Sequence, residues 1–459
     1  MNALLFLSGL SIVTLLISML KNRSILFPVS IVGIATAAIL LLRNWGANIH
    51  CFNEMLIFDN SALAFSILLL GITFFILPLY RDLPGKTDVP QAEQFTLLLF
   101  SLIGAVLMVS YNNLLMLFIG IELLSIPIYV LAGSHKKDIA GNEASLKYFL
   151  SGAFASGFIL MGIVMIYGAT GSLYVGEIAF SLHDQPALAH STLLIAGVVL
   201  MIAGFCFKIA AVPFHFWAPD VYQGAPTYIT AFMSTLVKTA AIAAFYRLFS
   251  NCFSGIEVWQ KILVYLAAAS MLVGNFTAAY QNSLKRLLAF SSVSHAGYLL
   301  MAILSMNGRS NNAIFLYMCA YSCATIVAFS VIMMVEEREG SDHIDCFNGL
   351  FRKSPLIAIA MVLAMLSLAG IPLTAGFIGK FSIFSAAIKS NYIELTIFAL
   401  MNAAVGIYYY FRVIAAVFLK RSEAENPYFI EGYAPFVIIV LSILTLFFGL
   451  YPQPLIALF

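Results

Sequence analysis

The sequence predicts an all-α membrane protein with about fourteen transmembrane helices. Of its 459 residues, 62% are hydrophobic and only 10% are charged, whereas soluble domains carry about 25% charged residues. The mean hydropathy is +0.98. Apolar runs of roughly twenty residues, the length of a helix that crosses a bilayer, recur from one end of the chain to the other.

The predicted spans make up one membrane domain, 1–459, because no polar segment is long enough for a soluble domain. They cover residues 2–20, 25–43, 59–80, 94–110, 112–132, 142–169, 192–216, 222–250, 257–279, 284–306, 311–336, 354–390, 392–419 and 433–452. We divide the chain into three N-terminal helices (1–93), a first repeat (94–250), a second repeat (257–420) and a last helix (433–452).

Two segments interrupt the helical pattern inside predicted spans. AAVPFHFWAPD carries Pro213 and Pro219, and LAGIPLTAGFIG carries Pro372 between glycines. Proline ends or kinks a helix, and a break survives in lipid only where protein or a water-filled cavity satisfies the freed backbone. Paired broken helices mark the transport path of many transporters. Since each half has five spans and one break, we expect two inverted five-helix repeats.

Five ionisable residues lie deep inside predicted spans: Glu122, Lys208, Lys238, His295 and Lys380. A charge at the centre of a membrane helix costs roughly 2.5–3.5 kcal/mol on insertion scales, so such residues are rare without a function. Histidine titrates near neutral pH and can relay protons. A track of titratable groups through lipid predicts movement of protons or small cations.

Two further residues are candidates for the same track. Lys147 lies one turn inside its span and follows Glu143 at i−4, so a surface ion pair is a direct alternative. His215 lies in the first broken segment, where it either lines a channel or satisfies unwound backbone.

Structural alternatives exist for the five deep residues as well. They are a helix–helix hydrogen bond by a neutral acid for Glu122, snorkelling to an interface for Lys208 and Lys380, a bond to a broken-helix carbonyl for Lys238, and a satisfied core position for His295.

Lysine and arginine are unevenly distributed among the predicted loops, and such asymmetry sets orientation in a membrane. The odd-numbered loops contain Lys21, Arg23, Arg81, Lys86, Lys136, Lys137, Lys285, Arg286, Arg338, Arg352, Lys353, Lys420 and Arg421, against Arg43, Lys261, Arg309 and Lys389 in the even-numbered loops. The odd side is therefore predicted to be cytoplasmic, with both termini on the periplasmic side of a bacterial inner membrane.

Other functional classes lack support in the sequence. The net charge of +2 and the absence of a basic run argue against a nucleic-acid partner. No dinucleotide or phosphate-binding motif and no iron–sulfur or zinc spacing occurs among the six cysteines. We therefore expect neither a bound cofactor nor a metal in this chain.

Four segments closely resemble the N-type antiporter-like subunits of proton-pumping NADH–quinone oxidoreductase, respiratory complex I. They are IELLSIPIYVLAG, EASLKYFLSGAFASGFILMGIVMIYGATGS, GFCFKIAAVPFHFWAPDVYQGAPT and NSLKRLLAFSSVSHAGYLL. The resemblance covers roughly residues 55 to 450. Lys380 matches a lysine of N-type subunits, where M-type subunits have glutamate, and the chain lacks the lateral helix extension of L-type subunits.

The resemblance implies a role for each matched residue. Glu122 and Lys208 would form the input pair, Lys238 the middle relay, and His295 and Lys380 the second half-channel, while Lys147 matches a lysine of the sixth helix. It also implies a translocase subunit without its own redox centre. FMN, iron–sulfur clusters and quinone would belong to partner subunits, and the neighbours would be other membrane subunits, including another antiporter-like one, and the lipid bilayer.

Two other functions stay open at this point. The same track would serve a subunit of a multi-subunit Na⁺/H⁺ antiporter, which belongs to the wider family. A membrane scaffold that has only kept ancestral residues is the third possibility.

Overall fold

The computed structural model describes residues 2–19, 25–81, 91–419 and 432–458, and these residues are overwhelmingly helical. In chain order the helices are α1 (Asn2–Ser18), α2 (Leu26–Leu42), α3 (Asn60–Arg81), α4 (Gln91–Ser110), α5 (Leu114–Ala132), α6 (Ile139–Thr170), α7 (Val175–Asp184), α8 (Thr192–Ile209), α9 (Trp217–Gly224), α10 (Thr227–Phe232), α11 (Lys238–Cys252), α12 (Glu257–Ala279), α13 (Leu284–Ser305), α14 (Ser310–Glu339), α15 (Leu350–Lys353), α16 (Pro355–Ala369), α17 (Ala375–Lys389), α18 (Ile393–Phe418), α19 (Ala434–Leu450) and α20 (Gln453–Ile456). The 3₁₀ turns are Pro186–His190 and Ile344–Phe347, and a π-helical segment, Met233–Val237, joins α10 to α11.

Within the described ranges, ten helical segments are long and apolar enough to cross a bilayer. They are Asn60–Arg81, Glu93–Ser110, Leu114–Ala132, Ile139–Thr170, Thr192–Ile209, Thr227–Cys252, Glu257–Ala279, Leu284–Ser305, Ser310–Glu339 and Ile393–Phe418. Four shorter apolar helices, α1, α2, α16 and α19, accompany them. The prediction of an all-α membrane protein is confirmed, while the exact number of fourteen spans stays a prediction.

One small element departs from the all-α expectation. Strands β1 (Ile49–Cys51) and β2 (Leu56–Phe58) form an antiparallel hairpin between α2 and α3, with Ile49 opposite Phe58. Residues 49–58 show no clear alternation of apolar and polar residues, so no strand was predicted there. Leu56 also bridges to Tyr111, so the hairpin packs against the loop that precedes α5.

Both predicted helix breaks are present. Helix α8 ends at Ile209, where Ala210 has a left-handed φ of 57°, and α9 starts only at Trp217. Helix α16 ends at Ala369, where Gly370 has a φ of 82°, and α17 starts at Ala375. The boundaries differ from the predicted spans 192–216 and 354–390, because each predicted span ran through its break.

The two halves of the fold begin their second helices in the same way. Asn113, just before α5, bridges to Tyr174 beyond α6, and Ser283, just before α13, bridges to His343 beyond α14. Asn113 and Ser283 also cap α5 and α13, respectively, with their side chains. This recurrence supports the predicted pair of repeats, whose bounds, 94–250 and 257–420, stay a prediction.

The most deeply buried spans lie at the centre of the fold. The 18-residue membrane-spanning window within Thr227–Cys252 is buried throughout, and those of α13 and α14 are almost as enclosed. By contrast, α6, α12 and α18 expose more than half of their membrane-spanning windows, with large apolar side chains outward. The central helices are therefore the ones on which polar side chains are shielded from lipid.

The predicted orientation depends on lysine and arginine residues of the loops, some of which the structure does not describe. Lys21, Arg23, Lys86, Lys420 and Arg421 lie outside the described residues.

Several of the described charges that were assigned to loops lie in helices instead. Lys285 is in the first turn of α13 and Lys353 ends α15, and both are buried.

Gly376 sets how closely α17 approaches α16. A Cβ at this position would lie 1.8 Å from the backbone oxygen of Ser367. We expect Gly376→Ala to displace α17 and to lower the free energy of unfolding by about 1–3 kcal/mol, as overpacking does. Thermal unfolding in mild detergent measures this loss.

The matched control is Gly157→Ala in α6, where an added Cβ meets no atom within 4 Å. This change should leave the unfolding temperature equal or slightly higher, because alanine favours a helix more than glycine does. Equal unfolding temperatures for both variants would contradict the close approach.

Candidate functional site

Lys208 is the most enclosed of the predicted site residues. It lies in the last turn of α8, directly before the first break, and is 1% exposed. Its ammonium donates to the Ser125 hydroxyl at 2.7 Å and to the Tyr129 hydroxyl at 3.3 Å, both on α5. A side chain so placed does not snorkel to an interface, so that structural alternative is wrong for Lys208.

Glu122 lies on α5 three residues before Ser125 and is half-buried. Its Oε1 atom has no hydrogen-bond partner among the described residues. No ion pair within 4 Å joins Glu122 to Lys208 in the described part of the chain, because Ser125 and Tyr129 take the lysine's bonds. The structure thus puts both groups around α5 but not in contact, and the input pair stays a prediction.

Lys238 begins α11, immediately after the π-helical segment. Such local π turns are frequent at functional sites, because they displace side chains from the regular helical pattern. The Lys238 ammonium donates to the Ser292 hydroxyl at 2.7 Å and to the Ser292 carbonyl at 3.0 Å. Both acceptors belong to α13, so the fifth helix of one repeat contacts the second helix of the other.

His295 is held between two tyrosines in the centre of the fold. Its Nε2 atom lies 3.0 Å from the Tyr410 hydroxyl, and its Nδ1 atom contacts the Tyr317 hydroxyl. The Tyr410 hydroxyl also contacts the hydroxyl of Ser291, which neighbours Ser292 in sequence. Lys238 and the Tyr410–His295 pair thus bond to adjacent serines of α13, Ser292 and Ser291, whose hydroxyl groups form no hydrogen bond with each other.

Lys380 is held by the second helix break. Its ammonium donates to the carbonyls of Leu368 and Ala369, each at 2.9 Å, at the end of α16. These are two of the carbonyls that a helix end leaves without a partner in its own helix. The broken-helix contact that was the alternative for Lys238 is therefore made by Lys380 instead, and Lys380 is too buried to snorkel.

A small cavity lies between His295 and Lys380. It has a volume of about 10 Å³ and is lined by both residues together with Tyr317, Tyr321 and Gly376. This space suffices for about one water molecule. A single water there would complete a hydrogen-bonded connection from the imidazole to the amine.

Lys147 lies apart from this interior network. It forms ion pairs with Glu143 and with Asp220, each at 2.7 Å, and its side chain is 45% exposed. The surface pair that was the alternative for Lys147 is thus present. Sequence reasoning missed Asp220, which also pairs with Arg286 at 2.9 Å.

His215 lies in the first break, between α8 and α9. It is 5% exposed, and its Nδ1 atom has no hydrogen-bond partner among the described residues. Phe216 and Phe290 flank its ring at centroid distances of 4.3 and 6.5 Å. The structure brings no other predicted site residue to it by hydrogen bond or ion pair within the described ranges.

Sequence reasoning also missed the hydroxyl groups that connect the amines and the imidazole. Ser125, Tyr317 and Tyr410 are all nearly fully buried, and each bonds to a predicted site residue. Hydroxyl groups both donate and accept, so they can pass a proton between an amine and an imidazole. The arrangement suits proton transfer between Lys238, His295 and Lys380.

No group of three or more histidine, cysteine, aspartate or glutamate side chains suited to a metal ion occurs in the described part of the chain.

Comparisons with known proteins agree on one family. The family model described as "NADH:quinone oxidoreductase/Mrp antiporter, TM" matches residues 111–406. The NADH-quinone oxidoreductase subunit N of Cytophaga hutchinsonii is 38% identical over 456 residues, which are 99% of this chain and 98% of the relative. The resemblance drawn from the four sequence segments is thereby confirmed.

Solved structures give the same result. A chain of the respiratory complex I from Thermus thermophilus has a TM-score of 0.86 at 34% identity, covering 99% of this chain and 98% of that chain. A chain of the Mrp complex from a Dietzia species has a TM-score of 0.86 at 22% identity, covering 99% of this chain and 95% of that chain. The second match establishes a common fold alone.

The Tyr410 hydroxyl contacts both His295 and Ser291, and Ser291 is the sequence neighbour of the Ser292 that holds Lys238. We expect Tyr410→Phe to slow proton movement along the track by roughly tenfold, since relay groups typically contribute this much or more. Tyr111→Phe is the control, because Tyr111 is also fully buried but its hydroxyl donates to the Ala244 carbonyl. Proton flux across vesicles containing the native assembly measures both, and equal rates for the two variants would contradict the role of Tyr410.

Proposed function

Because the chain belongs to the NADH:quinone oxidoreductase/Mrp antiporter membrane family, we propose that it is a proton-translocating membrane subunit of an NADH–quinone oxidoreductase. The observation that carries the proposal is the burial of three titratable groups close together: Lys238 bonds to Ser292, His295 bonds to Tyr410, and Lys380 shares a small cavity with His295. Lipid penalises such groups heavily, so their connection inside the protein favours a conducting role over a packing role.

Electron transfer would take place in partner subunits. FMN, iron–sulfur clusters and quinone would be bound there, and this chain would contribute no redox centre of its own. Its contacts would be with other membrane subunits of the complex, including a neighbouring antiporter-like subunit, and with lipid. Energy would therefore reach this chain through changes in charge or shape at its boundary with those subunits.

The proposed relay starts at Glu122 and Lys208. A change of charge near Glu122 would act on Lys208 through the space around Ser125, because charges interact strongly where water is excluded. Lys208 holds its proton against two neutral hydroxyl groups. Among the described residues no carboxylate pairs with this ammonium, so a change in the local field would act on it without competition from an ion pair.

From Lys208 the proton would move to Lys238, through the Ser292, Tyr410 and His295 groups to Lys380, and out. Each of these groups can accept a proton on one side and donate one on the other. His215 and Lys147 would lie beside this route. His215 is in the first helix break, and Lys147 forms ion pairs with Glu143 and Asp220 at the surface.

We propose a location in a bacterial inner membrane with both termini on the periplasmic side. The lysine and arginine residues of the odd-numbered loops support this orientation, since positive loops stay in the cytoplasm. The end of the fold that carries Lys136, Lys137 and Arg286 would then face the cytoplasm.

The antiporter alternative receives less support. The relative at 38% identity is a complex I subunit N, whereas the Mrp match, at 22% identity, concerns the fold alone. An antiporter would exchange protons for Na⁺ in purified form without NADH oxidation. Sodium-driven proton exchange by the isolated chain in vesicles would favour that alternative.

The proposal predicts that Lys208→Ala and Lys380→Ala abolish most proton pumping by the assembled complex. Removal of an obligatory carrier should lower pumping in vesicles by roughly a hundredfold. Lys389→Ala is the matched control, because Lys389 lies on the same helix as Lys380 but is exposed. Undiminished pumping by an assembled Lys208→Ala or Lys380→Ala complex would defeat the carrier role.

A further inference from the structure

Two adjoining cavities open at the end of the fold that carries the loop between α5 and α6. Their volumes are about 260 and 470 Å³, and both are lined by Ala140, Gln223, Gly224 and Glu336. We call them together the vestibule. Each cavity holds space for several water molecules, and Lys147, Asp220 and Asp342 make the larger one strongly charged.

Glu336 forms the inner boundary of the vestibule. One of its carboxylate oxygens accepts from the Lys285 ammonium at 2.7 Å, and the other accepts from the Thr227 hydroxyl. The Lys285 side chain is only 5% exposed, whereas that of Glu336 is 33% exposed. The carboxylate therefore contacts vestibule water on one side and buried donors on the other.

A row of polar side chains leads inward from this boundary. Thr227, Thr230, Ser234 and Lys238 follow one another at i, i+3, i+7 and i+11 along α10, the π-helical segment and the start of α11, so they lie near one face. All four are buried. At 1.5 Å per residue, the row spans roughly 16 Å.

The facing helix carries a parallel pair. Lys285, which bonds to Glu336, lies seven residues before Ser292, which bonds to Lys238, so both project from the same face of α13. Helix α13 thus reaches both ends of the row, at Lys238 directly through Ser292 and at Thr227 by way of Glu336 on α14. The Lys285–Glu336 ion pair lies at the vestibule, and the Lys238–Ser292 hydrogen bond lies in the interior.

We infer that Glu336, with Lys285 and Thr227, is the gate through which protons from the vestibule reach Lys238. This inference rests on the proposed function and adds three residues to the proton route. A hydronium ion in the vestibule would protonate the Glu336 carboxylate and leave a water molecule behind, and the neutral acid would hold Lys285 less strongly. The proton would then leave Glu336 by way of the Thr227 hydroxyl and the polar row, which restores the carboxylate and the ion pair.

A second ion pair on α14 serves as a control, because it tests whether loss of any such pair, rather than loss of the gate, slows proton uptake. Lys353 contacts Glu339 at 3.1 Å, and the side-chain exposures are 7% and 33%, close to those of the first pair. Glu339 lies one turn from Glu336 on α14, but neither Glu339 nor Lys353 lines the vestibule. Loss of either pair should affect stability alike, and only loss of the first should affect proton uptake.

The experiment compares Glu336→Gln with Glu339→Gln in the whole complex, purified and placed in vesicles. We expect Glu336→Gln to lower the rate of proton pumping by roughly tenfold, and Glu339→Gln to leave it unchanged. Glu336→Asp should restore a large part of the rate, because it returns the titratable group. Native pumping by Glu336→Gln, or an equal loss in both variants, would overturn the gate.

Thr227→Val decides the question if Glu336→Gln fails to assemble. This substitution keeps the shape of the side chain and removes the hydroxyl that bonds to Glu336. The gate requires a slower proton uptake in Thr227→Val, and a native rate would overturn it. Lys380→Ala separates this outcome from failure of the proposed function, because a gate that fails while Lys380→Ala still stops pumping leaves the proposed function intact.

Discussion

Backbone polar groups of this fold that lie at the depth of the hydrocarbon must find partners inside the protein, because lipid tails offer none. The two helix breaks meet this requirement with side chains from elsewhere. Lys380 donates to two carbonyls at the end of α16. At the first break the indole of Trp217 donates to the Phe207 carbonyl, and the Val212 amide donates to the Ser270 hydroxyl. At the second break the buried amine and the freed carbonyls satisfy each other, whereas an indole and a hydroxyl take that role at the first break.

The same requirement determines which partners the amines have. Lys208, Lys238 and Lys380 all bond to neutral oxygens of hydroxyl groups or backbone carbonyls. The ion pairs of the described residues lie toward the ends of the helices instead, as at Lys147 and Glu336. Charged side chains near the helix ends are therefore ion-paired, whereas the amines at the centre of the fold bond to neutral groups.

Sequence patterns predicted the features that one segment carries by itself. Hydropathy gave the helices, prolines gave the two breaks, and mid-span position identified Lys208 as buried. The partners could not be predicted in this way, because they come from helices far apart in sequence. Ser125 rather than Glu122 contacts Lys208, and Tyr410 lies 115 residues from His295. Charge asymmetry likewise treated Lys285 as a loop residue, although tertiary contacts bury it.

Neutral partners have a consequence for how such a chain responds to distant events. An amine paired with a carboxylate is held by a strong local interaction, and a charge farther away changes its balance little. An amine bonded to hydroxyls and carbonyls has no such ion pair. The electric field of more distant charges therefore has a larger relative effect on the position of its proton. In a poorly solvated interior those fields are weakly screened. Glu122, one helical turn from the Ser125 that holds Lys208, is placed to act on that amine without touching it.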